Sequence, residues 1–161
     1  MKTSESTAPA VLGQVEEAVS RPRMVGASVL QCLVVSASQT RRNMLCNAAS
    51  TAGWDTLVCA EPQLALVEFQ RRVCQFALVD LDLRGQTPEG FRALVQTVVA
   101  DSSRILVGVC GHEADPAEEV WVRQLGIWLY LPGVTNSSEI SLLCEQALLV
   151  VEKQRKDVKT P

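Results

Sequence analysis

From Val29 onward the chain alternates short apolar runs with longer segments whose apolar positions recur every three or four residues. Residues 29–35 (Val-Leu-Gln-Cys-Leu-Val-Val) are rich in β-branched side chains, long enough for a buried strand and too short for a helix. Ser38 is placed to cap a helix running to about Ala52, with Met44, Leu45, Ala48 and Ala49 on one face. Gly53 stops it, and residues 54–59 read as the second strand. Glu61-Pro62 opens the next helix, where proline is tolerated in the first turn, and Leu64, Leu66, Val67 and Phe69 form its apolar side. The same rhythm repeats three more times. Residues 76–81 predict a third strand, and Pro88 opens a helix carrying Phe91, Leu94, Val95, Val98 and Val99. A fourth strand is expected over 105–110, followed by a helix from Asp115-Pro116 to near Gly126. A fifth strand covers 127–131. The last helix, capped by Thr135, Ser137 or Ser138, presents Ile140, Leu143, Ala147, Leu148 and Val151.

Five strand–helix alternations, with continuous apolar strands, predict an α/β fold: a parallel sheet covered by helices on both faces. Right-handed crossovers give the doubly wound, flavodoxin-like strand order 2-1-3-4-5. In such a sheet the functional crevice lies beyond the carboxyl ends of strands one and three. Residues 29–152 carry this pattern. Residues 1–28 read as an extension in which Val11, Leu12, Val15, Ala18 and Val19 recur at helical spacing before Arg21-Pro22-Arg23. They fit either a short amphipathic helix or a partly ordered leader. Residues 153–161 read as a flexible basic tail.

Composition narrows the function classes. A formal net charge of −3 and a pI of about 5.2 give no global attraction to nucleic acid or anionic membrane. No apolar run reaches the roughly 20 residues that span a bilayer, and the first residues lack an apolar signal core, which predicts a cytoplasmic protein. None of the six cysteines forms a C-x-x-C pair, and His112 is the one histidine. No metal site is therefore expected, and the cysteines read as reduced core thiols.

The candidate chemistry centres on Asp80. It closes the apolar run Phe76-Ala77-Leu78-Val79 and leads into Leu81-Asp82-Leu83-Arg84-Gly85. Asp80 and Asp82 share a face if the strand persists, but an acid/base pair is the weaker reading against a strand-end carboxylate and a loop carboxylate. The segment 77–85, together with Gly126-Ile127-Trp128-Leu129-Tyr130-Leu131-Pro132-Gly133 and Thr135-Asn136-Ser137-Ser138-Glu139-Ile140, resembles the response-regulator receiver domain. That resemblance implies that Asp80 stands at the phosphoacceptor position and Tyr130 at the switch aromatic. It also marks departures. Arg84 stands where the family commonly has proline. The metal-binding acidic pair corresponds to Ser36-Ala37, the phosphate-binding Ser/Thr to Cys110, and the conserved Lys to Gly133.

Such a pocket (Ser36, Ala37, Asp80, Asp82, Cys110, Gly133) is a poor fit to Mg²⁺, which prefers several hard, charged oxygens. With neither metal nor Lys, no group expected there neutralises charge on an incoming phosphoryl group. The expectation is a non-enzymatic pseudo-receiver without cofactor. It would act through a protein partner or a second copy at the face formed by the fourth helix, fifth strand and fifth helix. Trp121, Trp128 and Tyr130 crowd that face, either as contact residues or as core fillers. No nucleic-acid or membrane partner is expected. Two alternatives remain: a residual phosphoacceptor using Asp80, and a nucleotide or flavin site in the hydroxyl-rich loop Ser36-Ala37-Ser38-Gln39-Thr40. The second lacks the glycines that close backbone approach requires. His112 reads as a solvated loop side chain or as a pH-sensitive contact to Asp80.

Overall fold

The computed structural model describes residues 29–82, 87–101, 104–133 and 136–159. Ten elements follow one another: β1 (Gln31–Val35), α1 (Gln39–Ala52), β2 (Asp55–Cys59), α2 (Pro62–Arg71), β3 (Phe76–Asp80), α3 (Glu89–Asp101), β4 (Leu106–Gly111), α4 (Pro116–Gln124), β5 (Leu129–Pro132) and α5 (Ser137–Val158). The strands form one parallel sheet in the order β2-β1-β3-β4-β5. This is the expected doubly wound α/β topology.

The continuous apolar strands are explained by burial on both sides. Side chains alternate across a strand, so Cys32, Val34, Phe76 and Leu78 enter the core beneath α1 and α5. Leu33, Val35, Ala77 and Val79 enter the core beneath α2, α3 and α4. Trp54 tilts against Phe76 at 5.3 Å between ring centroids, and Trp128 meets the same ring edge-on at 5.9 Å. The indole Nε1–H of Trp54 donates to the Cys144 carbonyl of α5 at 2.9 Å. All six cysteines are free; five are buried and Cys46 is half-buried. Among the described residues no helix is long and apolar enough to cross a membrane.

Several boundaries differ from the sequence expectation, each for a local reason. In α2 the buried positions are Ala65 and Phe69, whereas Leu64 and Val67 face solvent. Helical spacing alone does not say which stripe turns inward, and here the small Ala65 is what lets α2 approach the sheet. The cap of α5 is Asn136, whose side chain accepts from Ser138 N; Thr135 lies outside the described residues. Helix α5 also continues to Val158, so residues 153–158 are its exposed last turns, with Arg155 and Lys156 complementing the helix dipole. The leader 1–28 and residues 83–86, including Arg84, lie outside the described residues.

Candidate functional site

The period-two alternation that divides the core also assembles the site. Counting on from Val34 and Leu78, Ser36 and Asp80 fall on the α1 side of the sheet, and β3–β4 register places Cys110 beside Asp80. Ser36, Asp80 and Cys110 are all fully buried. The loop that follows β1 is held by its own side chains. Ser36 Oγ accepts from Ser38 N at 3.2 Å, and the Ser38 side chain caps α1 by accepting from Arg41 N at 3.4 Å. Arg42 Nη1 donates to the carbonyls of Ser36 and Ala37 at 2.7 and 3.0 Å. The hydroxyl-rich loop is thus engaged internally, with its first hydroxyl turned toward the carboxylate.

Asp80 is saturated. Its Oδ2 accepts from Ser36 Oγ at 2.7 Å and from Arg41 Nε at 2.7 Å, and its Oδ1 accepts from Asp82 N at 3.1 Å. The Arg41 side chain is 17% exposed and that of Asp80 is 0% exposed. Burial alone would lower the pKa of Arg41, but the hydrogen bond and charge of Asp80 outweigh it and raise it above its ordinary value. The expectation that the pocket holds no cation is therefore corrected: α1 supplies one in its first turn. Sequence reasoning missed Arg41 because it searched the positions where receivers place acids and Lys. A signal existed. Two consecutive arginines opening a helix oppose the macrodipole, a local conflict that calls for an acidic partner.

The remaining positions fall around this pair. Asp82 does not share a strand face with Asp80, since β3 ends at Asp80 and Asp82 contributes its backbone N–H. Burial, followed by the charge of Asp80, pushes the Cys110 thiol up to about 12. Gly133 adopts φ 65°, the left-handed region that glycine tolerates, and a side chain there would press on Glu113. His112 is exposed, its Nδ1 accepting from Ala114 N at 3.1 Å, which leaves it as a solvated loop residue.

The group Mg²⁺ of the receiver resemblance does not fit these residues. Both donors to Asp80 Oδ2 are N–H or O–H groups, and one of them is a guanidinium, whose positive charge disfavours a cation on the same carboxylate. Among the described residues, no three His, Cys, Asp or Glu side chains cluster in a metal-binding arrangement.

A second buried carboxylate, Glu118 of α4, organises the β4–β5 end. Its Oε1 accepts from Tyr130 Oη at 3.0 Å and from His112 N at 3.1 Å, while Arg92 Nη2 lies 3.9 Å from Oε2. The Arg92 guanidinium stacks 5.1 Å from the Trp121 ring centroid. Burial first, and then the hydrogen bond to Glu118, raise the pKa of Tyr130 well above the ordinary phenol value. Gly111 makes the arrangement possible, because a Cβ there would collide with both Glu118 Oε1 and Tyr130 Oη. Trp121, Trp128 and Tyr130 are thus each half-buried and each committed to an internal contact.

No family model matches the chain, and no curated protein is similar to it in sequence. Solved structures are similar in fold. A CheY-like response-regulator receiver domain protein from Methanospirillum hungatei JF-1 superposes with a TM-score of 0.66 at 15% identity, covering 81% of this chain and 99% of that one. The signal receiver domain of a Luxo repressor protein from Vibrio parahaemolyticus gives 0.67 at 15% identity, covering 83% and 100%. NtrX from Brucella abortus gives 0.70 at 18% identity over 83% of this chain, which spans 30% of that longer protein. The chain has the CheY-like receiver fold.

Proposed function

We propose that the protein is a phosphorylation-independent pseudo-receiver, a signal-transduction module that acts by binding another protein or a second copy of itself. One observation carries this reading: the carboxylate at the phosphoacceptor position is buried and paired with Arg41, and it also accepts from Ser36 and the Asp82 amide. A phosphoryl donor would meet no accessible carboxylate oxygen. Oriented cations supply most of the stabilisation in such transfers, and here the cation is spent on the acid itself.

The output surface in this reading is the α4–β5–α5 face. β5 is an edge strand flanked by α4 and α5. The Glu118–Tyr130 hydrogen bond holds the strand-five aromatic in one orientation without a phosphate signal. The reading includes no enzymatic step, cofactor, nucleic acid or membrane partner. Its test is the solution mass of the protein, and its capture of a partner, before and after acetyl phosphate with Mg²⁺, for the wild type and Asp80→Asn. The expected result is one association state in all four conditions. An association that appears only with the phosphodonor, and only while Asp80 is present, would instead support a residual phospho-switch.

A further inference from the structure

At the end of the sheet opposite Asp80, the residues leading into β3 and the last turns of α5 enclose a cleft of about 610 Å³. Its apolar lining comes from Val73, Cys74, Val151 and Val158, and Val73 is 79% exposed. A volume of this size is in the range of built binding sites. Among its described lining residues the charged side chains are Arg104, Arg155, Lys159 and Asp157.

We propose that this cleft is the docking site of residues 11–19 of the same chain. Three observations select that occupant. The chain enters the fold at the cleft: Gln31 N donates to Gln75 Oε1 at 2.8 Å, Gln75 N donates to Gln31 O at 3.0 Å, and Gln75 lines the cleft. Val11, Leu12, Val15, Ala18 and Val19 fall on one stripe of a helix, supplying an apolar face for an apolar lining. Residues 11–19 contain two acids, Glu16 and Glu17, and no basic residue, opposite in sign to the formal net charge of the described lining residues. The nine residues 20–28 that join the stripe to Val29 reach about 30 Å when extended, ample for a return to a cleft beside the point of entry. The inference goes beyond the proposed function and is independent of it, since the cleft shares no residue with the Asp80 pocket.

A helix this short, with Gly13 inside it, is marginal in water, so protection of its amides reports docking. Hydrogen exchange on the full chain is expected to show residues 11–19 slowed about tenfold or more relative to an unstructured segment. The slowing should be lost in Val73→Asp and in Val15→Asp/Val19→Asp, with the exchange of the sheet core unchanged. It should also be independent of protein concentration. Free-chain exchange in the wild type would overturn the proposal. So would protection that survives Val73→Asp, which means docking elsewhere, or protection that disappears on dilution together with a dimer, which makes a second copy the occupant.

Discussion

Removing Arg41 tests how much of the fold rests on the internal neutralisation of Asp80. With Nε 2.7 Å from Oδ2, the charge centres stand about 4 Å apart, which at an effective dielectric of about 20 corresponds to roughly 4 kcal/mol of attraction. Arg41→Ala leaves a fully buried carboxylate with only the Ser36 hydroxyl and the Asp82 amide as donors. Breaking a buried pair from one side costs about 3–5 kcal/mol. For a fold of this size that is a fall in Tm of roughly 12–20 °C. Asp80→Asn should cost less, about 1–3 kcal/mol, because Arg41 retains some exposure and can find water. Arg41→Ala/Asp80→Asn should then cost less than the sum of the single changes, with a coupling of about 1–3 kcal/mol. Urea unfolding of the four proteins measures all three terms. An Arg41→Ala cost below about 1 kcal/mol, with additive singles, would place the pair among ordinary surface ion pairs and refute the reasoning.

Three further outcomes follow from the same geometry. Gly111→Ala should destabilise by about 1–3 kcal/mol through overpacking against Glu118 and Tyr130, read as a lowered urea midpoint. Tyr130→Phe removes one donor from buried Glu118 and should cost about 1–3 kcal/mol in the same assay, whereas Trp121→Phe, at a half-exposed stacking contact, should cost less. The Cys110 thiol, raised from 9.0 to about 12, binds its proton more tightly in the folded than in the unfolded chain. Its contribution to stability is therefore complete below pH 9 and is lost as pH rises toward 12. Cys110→Ala should flatten the decline of stability above pH 9, read as urea midpoints that fall less steeply with pH than those of the wild type.

The strands were legible because short, mainly apolar runs alternate with segments of helical spacing, even at β2, where Asp55 and Thr56 precede Leu57-Val58-Cys59 and only Cys59 is buried. The helix caps at Ser38 and Asp115 were legible for the same kind of reason, a short polar side chain ahead of a periodic segment. Which stripe of α2 turns inward was not, because Leu64 and Val67 outweigh Ala65 in any count of hydrophobicity while size decides the fit. The site was half legible. Period two and the resemblance to receivers located Ser36, Asp80 and Cys110, yet neither says what an arginine one helical turn away will do. Arg41 meets Asp80 across 39 positions, a contact that only the packing of α1 on the sheet creates. Glu118 was invisible for the same reason, since an acid in a helix's first turn reads as a favourable dipole contact and not as the buried acceptor for Tyr130.

The most direct measurement is intact-mass analysis of the protein after incubation with acetyl phosphate and Mg²⁺, alongside Asp80→Asn. Pairing of buried Asp80 with Arg41, with the Ser36 hydroxyl on the same oxygen, predicts no added phosphoryl group on either protein. A Mg²⁺-dependent, acid-stable but base-labile phosphoryl adduct on the wild type, absent from Asp80→Asn, would contradict it.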